Sequence, residues 1–166
     1  MPGEYSLLSI GACEVGRSDR TFYVELRPIN GRFVPEALTV SQLDLKTLSR
    51  DGTPPPEAMR SFDEWISRVS DGRSPVFVGF NATFDWSFVN WYFHKFRGQN
   101  PFGIGGVDIK AFAMGLMGRL WCETTSSHLP QKYQSELPKT HNALDDALSQ
   151  GDTFQKLLNE SRRTRA

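Results

Sequence analysis

The run His141-Asn142-Ala143-Leu144-Asp145-Asp146-Ala147 sets an imidazole four and five residues ahead of two carboxylates. Sixty residues before His141, Asn81-Ala82-Thr83-Phe84-Asp85-Trp86 supplies another. An imidazole titrates near neutrality and can take a proton from a reacting group. Carboxylates are the oxygen ligands that hard divalent ions prefer. A histidine with two separate carboxylates, Asp85 and Asp146, can therefore serve one metal-centred site. A hydrolytic site holding two ions needs more carboxylates than these.

The spacing decides which carboxylate faces inward. At roughly 100° per residue, Asp146 lies about 140° round a helix from His141, whereas Asp145 shares its face. Leu144 and Ala147 are the apolar neighbours of Asp146, so Asp146 is directed toward the protein and Asp145 toward solvent. His141 starts the helix and can lean over the same cleft from the preceding loop. Asp85 follows an apolar run at the start of a helix. Open α/β sheets place ligands there, and the helix dipole favours a carboxylate. The plainer alternatives are that Asp85 is an N-cap and that His141–Asp146 is an ordinary helix start. For Phe84, a core aromatic is the plainer alternative.

The elements that position these residues follow from periodicity and breakers. Tyr5–Val15 and Thr21–Leu26 read as a hairpin across the polar turn Arg17–Arg20. Pro35–Leu45 reads as a short helix. A second helix follows Pro54-Pro55-Pro56, with Ala58, Phe62, Trp65, Ile66 and Val69 on one face, and ends at Asp71-Gly72. Pro75–Phe80 reads as a strand buried on both faces. Asp85–Phe96 reads as a helix closed near Gly98. Val107–Ile109 reads as a last short strand leading into a helix through Leu116. Residues 119–138 read as irregular, and His141–Leu158 as the final helix. This predicts an α/β domain over 1–160, a mixed sheet flanked by helices, with a disordered basic tail at 161–166.

Composition removes some function classes. Lys+Arg and Asp+Glu balance at 19 each, so no global field draws the chain to nucleic acid or anionic membrane. Nucleic-acid binding would rest on a local patch and on stacking. No apolar run reaches membrane-spanning length, and the N-terminus lacks a signal-peptide pattern. Cys13 and Cys122 match no zinc spacing. They read as buried thiols in a reducing, cytoplasmic setting. Lys95, Arg97, Lys110, Arg119, Lys132 and Lys139 are candidates for a phosphate track, with a solvated surface as the default for each. His94, beside Lys95 at a helix end, reads as solvated, and His128, in an irregular segment, has no partner at motif spacing. Trp86 and Trp91 read as core.

The residues around the charged groups carry a resemblance. Val78-Gly79-Phe80-Asn81-Ala82-Thr83-Phe84-Asp85 resembles the second motif of the DEDDh 3′→5′ exonucleases, the DnaQ-like branch of the ribonuclease-H-like fold. His141 to Ala147 is similar to their third motif, Tyr5 to Ala12 to their second strand, and Val107-Asp108 to their fifth-strand region. The resemblance implies two divalent ions, Mg2+ or Mn2+, at a site that releases mononucleotides from single-stranded DNA or RNA 3′ ends. It implies His141 as the base, Asp85 and Asp146 as metal ligands, and Asn81 and Phe84 as the pocket for the terminal nucleotide. The family's first motif, Asp-x-Glu on a strand preceding the Tyr5–Val15 equivalent, occurs nowhere in the 166 residues. The expectation is a sheet whose first strand is missing, with impaired metal binding and weak or no turnover. A non-catalytic nucleic-acid-binding module and a fold-only interaction domain are the competing readings.

Overall fold

Strand β1 (Ser9–Glu14) pairs antiparallel with β2 (Arg17–Glu25), with Ile10 opposite Val24 and Ala12 opposite Phe22. The hairpin turns at Val15-Gly16, where Gly16 takes a left-handed φ of 80° that glycine adopts without penalty. The expected polar turn at Arg17–Arg20 is instead the start of β2, and Arg20 pairs across it with Glu14 at 2.9 Å. The computed structural model describes residues 1–138 and 140–163, to which every statement below refers.

Helix α1 (Pro35–Ser41) stops four residues short of the expected Leu45, at Gln42 in a left-handed conformation. A separate helix, α2 (Leu45–Asp51), follows, with the Asp44 carboxylate accepting the Thr47 N–H at 2.8 Å. Helix α3 (Pro55–Ser70) buries Ala58, Met59, Phe62, Trp65 and Ile66 and ends at the left-handed Asp71, as its spacing predicts. Strand β3 (Phe77–Gly79) leads into α4 (Ala82–Arg97), which Gly98 closes. Strand β4 (Gly106–Asp108) runs parallel to β3 and leads into α5 (Ile109–Met117). Two short 3-10 turns interrupt the irregular stretch before α6 (Ala143–Arg163). Helix α6 carries the first residues of the basic tail, through Arg163; residues 164–166 lie outside the described residues.

Two hydrophobic clusters hold these elements. The larger joins Ile10 and Leu26 of the hairpin region to Phe62 and Trp65 of α3 and to Val89, Tyr92 and Phe93 of α4. Phe62 stacks on Phe22 at 4.9 Å and on Phe93 at 5.6 Å. The Tyr92 hydroxyl enters this core and accepts the Leu7 N–H at 2.8 Å. The smaller cluster places Ile109 and Ala113 of α5 against Phe154 and Leu157 of α6, with Leu129 and Tyr133 beneath.

The architecture is α/β, with six helices and two separate two-stranded sheets among the described residues. No strand there joins β1 to β3. That separation explains a departure from expectation. The Pro75–Phe80 run was expected as a strand buried on both faces, yet β3 spans three residues, Phe77 and Val78 are half-buried, and Val76 is 62% exposed. A strand with one neighbour keeps an unpaired edge and an uncovered flank. No described helix is long and apolar enough to cross a membrane.

Candidate active site

Small residues bring α6 directly onto β1. A Cβ added to Gly11 would lie 2.1 Å from the Ala143 carbonyl carbon, so no side chain fits there. One turn on, the Cys13 thiol reaches the Ala147 carbonyl at 3.3 Å. A Cβ at Gly151 would meet the same sulfur at 2.8 Å. Ala143, Ala147 and Gly151 thus form the stripe, at a spacing of four, that seats the helix on the strand. Burial among these groups pushes the Cys13 thiol pKa up. Contrary to the expectation of two buried thiols, Cys13 is half-buried and Cys122, in the 3-10 turn Trp121–Thr124, is exposed.

The start of α6 is tied at several points. Asn142 caps it, its Oδ1 accepting the Leu144 N–H at 2.9 Å and its carbonyl accepting the Asp146 N–H at 3.0 Å. The Asn142 amide also donates to the Tyr23 hydroxyl at 3.3 Å, and that hydroxyl donates to Glu25 at 2.8 Å. The Thr140 hydroxyl donates to Asp145, so this carboxylate is engaged in closing the turn. His141, between these ties, adopts a left-handed φ of 64° and is exposed.

The other half of the site sits on the turn between β3 and α4. Asn81, at φ 51°, is the N-cap residue of α4, which answers the N-cap alternative for Asp85. Asp85 stands four residues into the chain beyond that cap, in the first turn. The Phe80 N–H donates to Gln150 Oε1 at 2.8 Å, and the Ala82 N–H donates to Asp108 Oδ2 at 2.7 Å. Asp108 also caps α5 by accepting the Ala111 N–H at 3.0 Å. Phe84 is 65% exposed and tilts against Phe88 at 5.4 Å, so it is not a core aromatic.

Asp85, His141, Asp146 and Phe84 line one cavity of about 1050 Å³. Its apolar walls come from β1, from Val76–Gly79 and from the inner faces of α3 and α4, so it occupies the space between the two sheets. Asn81 does not line it. Asp85 is exposed at the mouth, while the surrounding walls displace water and raise its carboxyl pKa above the usual value. A hydrogen bond from its own backbone amide opposes that shift. Among the described residues no three of His, Cys, Asp and Glu stand close enough together to hold a metal ion. His141 also borders a polar pocket of about 270 Å³ shared with Tyr23, Glu25 and Asn142.

Several cations considered for a phosphate track are engaged elsewhere. Arg97 pairs with Asp63 and Lys132 with Glu160, each at 3.0 Å. Lys110 is buried with its ammonium 4.1 Å from the centre of the Trp121 ring. Lys95 and Arg119 are exposed, and Lys139 lies outside the described residues. His128 Nδ1 lies 3.0 Å from the Thr125 hydroxyl and 3.2 Å from the Cys122 carbonyl, a local loop closure. His94 is exposed near the end of α4. Trp86 is half-buried, edge-on to Phe77 at 5.5 Å, and Trp91 packs against Phe96, as core-flanking residues do.

Sequence reasoning passed over Gln150 and Asp108. An Asp at the end of a strand with a helix after it is a cap signal. Gln150 stands one helical turn after Asp146, but its partner is 70 residues away, and no spacing rule connects them.

No family model matches the chain. The chain is 45% identical over 156 residues to the 3′-5′ DNA exonuclease Cap18 of Escherichia coli. The aligned region covers 93% of this chain and 83% of that protein. At that identity and coverage, the chain belongs to the family of this exonuclease.

Proposed function

We propose that the chain is a metal-dependent 3′→5′ exonuclease of the DEDDh type that removes mononucleotides from DNA 3′ ends. The observation that carries this reading is that Asp85, His141 and Asp146 open on one cavity in a relative of a named 3′-5′ DNA exonuclease. DNA as substrate rests on that relative's name.

The donor set fits a divalent ion in kind, since two carboxylates on one cavity supply the oxygen ligands that Mg2+ and Mn2+ require. Asp85 and Asp146 would hold it, and the ion would supply positive charge to the scissile phosphate and acidify water. The chain's own residues do the rest. His141 takes the proton of the attacking water as its oxygen bonds to phosphorus and the bond to the leaving 3′ oxygen breaks, and that oxygen takes a proton from solvent to leave as a hydroxyl. Phe84 offers an exposed ring face to the terminal base, worth about 1–3 kcal/mol per stacked base. Asn81, at the turn beside it, contacts the same nucleotide from outside the cavity lining.

Two carboxylates are too few to offset the repulsion between two divalent ions. We take the elements to be those of a ribonuclease-H-like mixed sheet in which the position between β1 and β3 is not filled by the described residues. The apolar cavity between the sheets supports this placement. A strand seated there with an Asp-x-Glu pair would complete the ligand set. The chain is therefore expected to digest DNA at least about 10²-fold more slowly than a variant lengthened by a strand that carries Asp-x-Glu, since losing one stabilising group already costs about 10²–10³-fold.

The test is digestion of 5′-labelled single-stranded DNA and RNA oligonucleotides by both forms, with Mg2+ and with EDTA. The expected result is EDTA-sensitive shortening of the DNA from its 3′ end by the longer form. No digestion by either form overturns the nuclease reading. Equal, robust digestion by both overturns the account of an incomplete carboxylate set.

A further inference from the structure

The two carboxylates of the site stand on different elements, and one side chain bridges those elements. Asp146 and Gln150 are one turn apart on α6, so the rigid helix fixes one relative to the other. Gln150 Oε1 accepts the Phe80 N–H at 2.8 Å. Phe80 lies just beyond β3, and Ala82 is the first residue of α4. Amides at such positions have no partner within a ladder or a helix. Gln150 satisfies the first and Asp108, at 2.7 Å, the second. Between them Asn81 is left-handed, a conformation that asparagine adopts more readily than other residues with a side chain. Asp85 follows in the first turn of α4.

The two grips differ in what they hold. Asp108 belongs to β4, pairs with Gly79 across the sheet, and caps α5. It ties the turn to the smaller sheet. Gln150 ties the turn to α6. The packing of α6 on β1 through Gly11, Ala143, Ala147 and Gly151 does not involve the Gln150 amide. Gln150 is half-buried and adds no apolar side chain to either core cluster.

We propose that Gln150 is a positioning residue that sets where Asp85 stands relative to Asp146, and so fixes the geometry in which the two carboxylates receive one divalent ion. This rests on the reading of Asp85 and Asp146 as metal ligands. With Gln150 lost, α6 stays on β1 and the turn stays on β4, but the two ligands are no longer registered to each other. Groups that orient metal ligands typically govern about 10–100-fold in metal affinity.

The test is Mn2+ titration of the 166-residue chain, followed by electron paramagnetic resonance of free Mn2+, together with hydrogen exchange at the Phe80 amide. In Gln150→Met, a side chain of similar length with no good acceptor, Mn2+ affinity is expected to fall about tenfold or more and the Phe80 amide to exchange faster. Gln150→Glu keeps an acceptor oxygen and is expected to restore both wild-type amide protection and at least wild-type affinity. Should Q150M fail to fold, Gln150→Asn, one methylene short of Phe80, is expected to show the same loss. Wild-type chain that binds Mn2+ beside a folded Q150M or Q150N that binds it equally overturns the proposal. So does a Q150E that loses affinity along with Q150M. A wild-type chain that takes up no Mn2+ overturns the placement of an ion on Asp85 and Asp146 alone, and this inference with it, whereas the nuclease reading stands or falls on the digestion assay.

Discussion

Replacing His141 with alanine is expected to cut turnover by about 10²–10⁴-fold, the usual contribution of a positioned acid or base. Metal binding should persist, because the proposed ligands are the carboxylates of Asp85 and Asp146. The structure supports this division of labour. His141 is held by its neighbours: Asn142 is fixed to the first turn of α6 and to Tyr23, and Thr140 to Asp145. Its own side chain is left to border the cavity. The measurement is single-turnover cleavage in a form active enough to assay, with added imidazole as a rescue. A His141→Ala variant that keeps a near-normal rate would assign the proton transfer to another group.

Gly11→Ala is expected to destabilise the fold by about 3 kcal/mol or more, the upper range for forcing extra volume into a packed contact. For a chain of this size that lowers Tm by about 6–12 °C. The added Cβ would stand 2.1 Å from the Ala143 carbonyl carbon, 2.2 Å from its oxygen and 2.3 Å from the Leu144 nitrogen. All three are backbone atoms, so no rotamer change relieves the clash and the first turn of α6 must move. That turn carries Asp146 and follows His141, so activity should fall further than stability alone dictates. Gly31→Ala is the control, since nothing lies within 4 Å of its would-be Cβ. A Gly11→Ala protein that melts with the wild type would show that α6 does not sit on β1 as described.

Legibility in the sequence followed the range of the interaction concerned. Helix α3 was readable because Ala58, Phe62, Trp65 and Ile66 repeat at helical spacing and Asp71-Gly72 ends them, all local signals. The start of α6 was readable from the His141–Ala147 motif, although the helix begins at Ala143 and runs to Arg163 rather than to Leu158. Helix α2 was missed although Asp44 and Thr47 form a recognisable cap, because the preceding apolar run suggested one helix. The length of β3 depends on its neighbours, and with one paired edge only three residues qualify. The free cations were the least legible. Whether Arg97 or Lys132 is available to a phosphate depends on Asp63 and Glu160, which lie 34 and 28 residues away. Gln150 shows the same limit at the site itself, since a glutamine in a helix gives no sign of the distant amide that it accepts.

The most direct measurement is the location of a bound ion. Anomalous diffraction at the manganese edge from crystals equilibrated with Mn2+ is expected to show a peak in the cavity between the sheets, with carboxylate oxygens of both Asp85 and Asp146 as ligands and His141 beside it but not bound. A peak elsewhere on the protein, or none at saturating Mn2+, would contradict the assignment of these three residues to one metal-dependent active site.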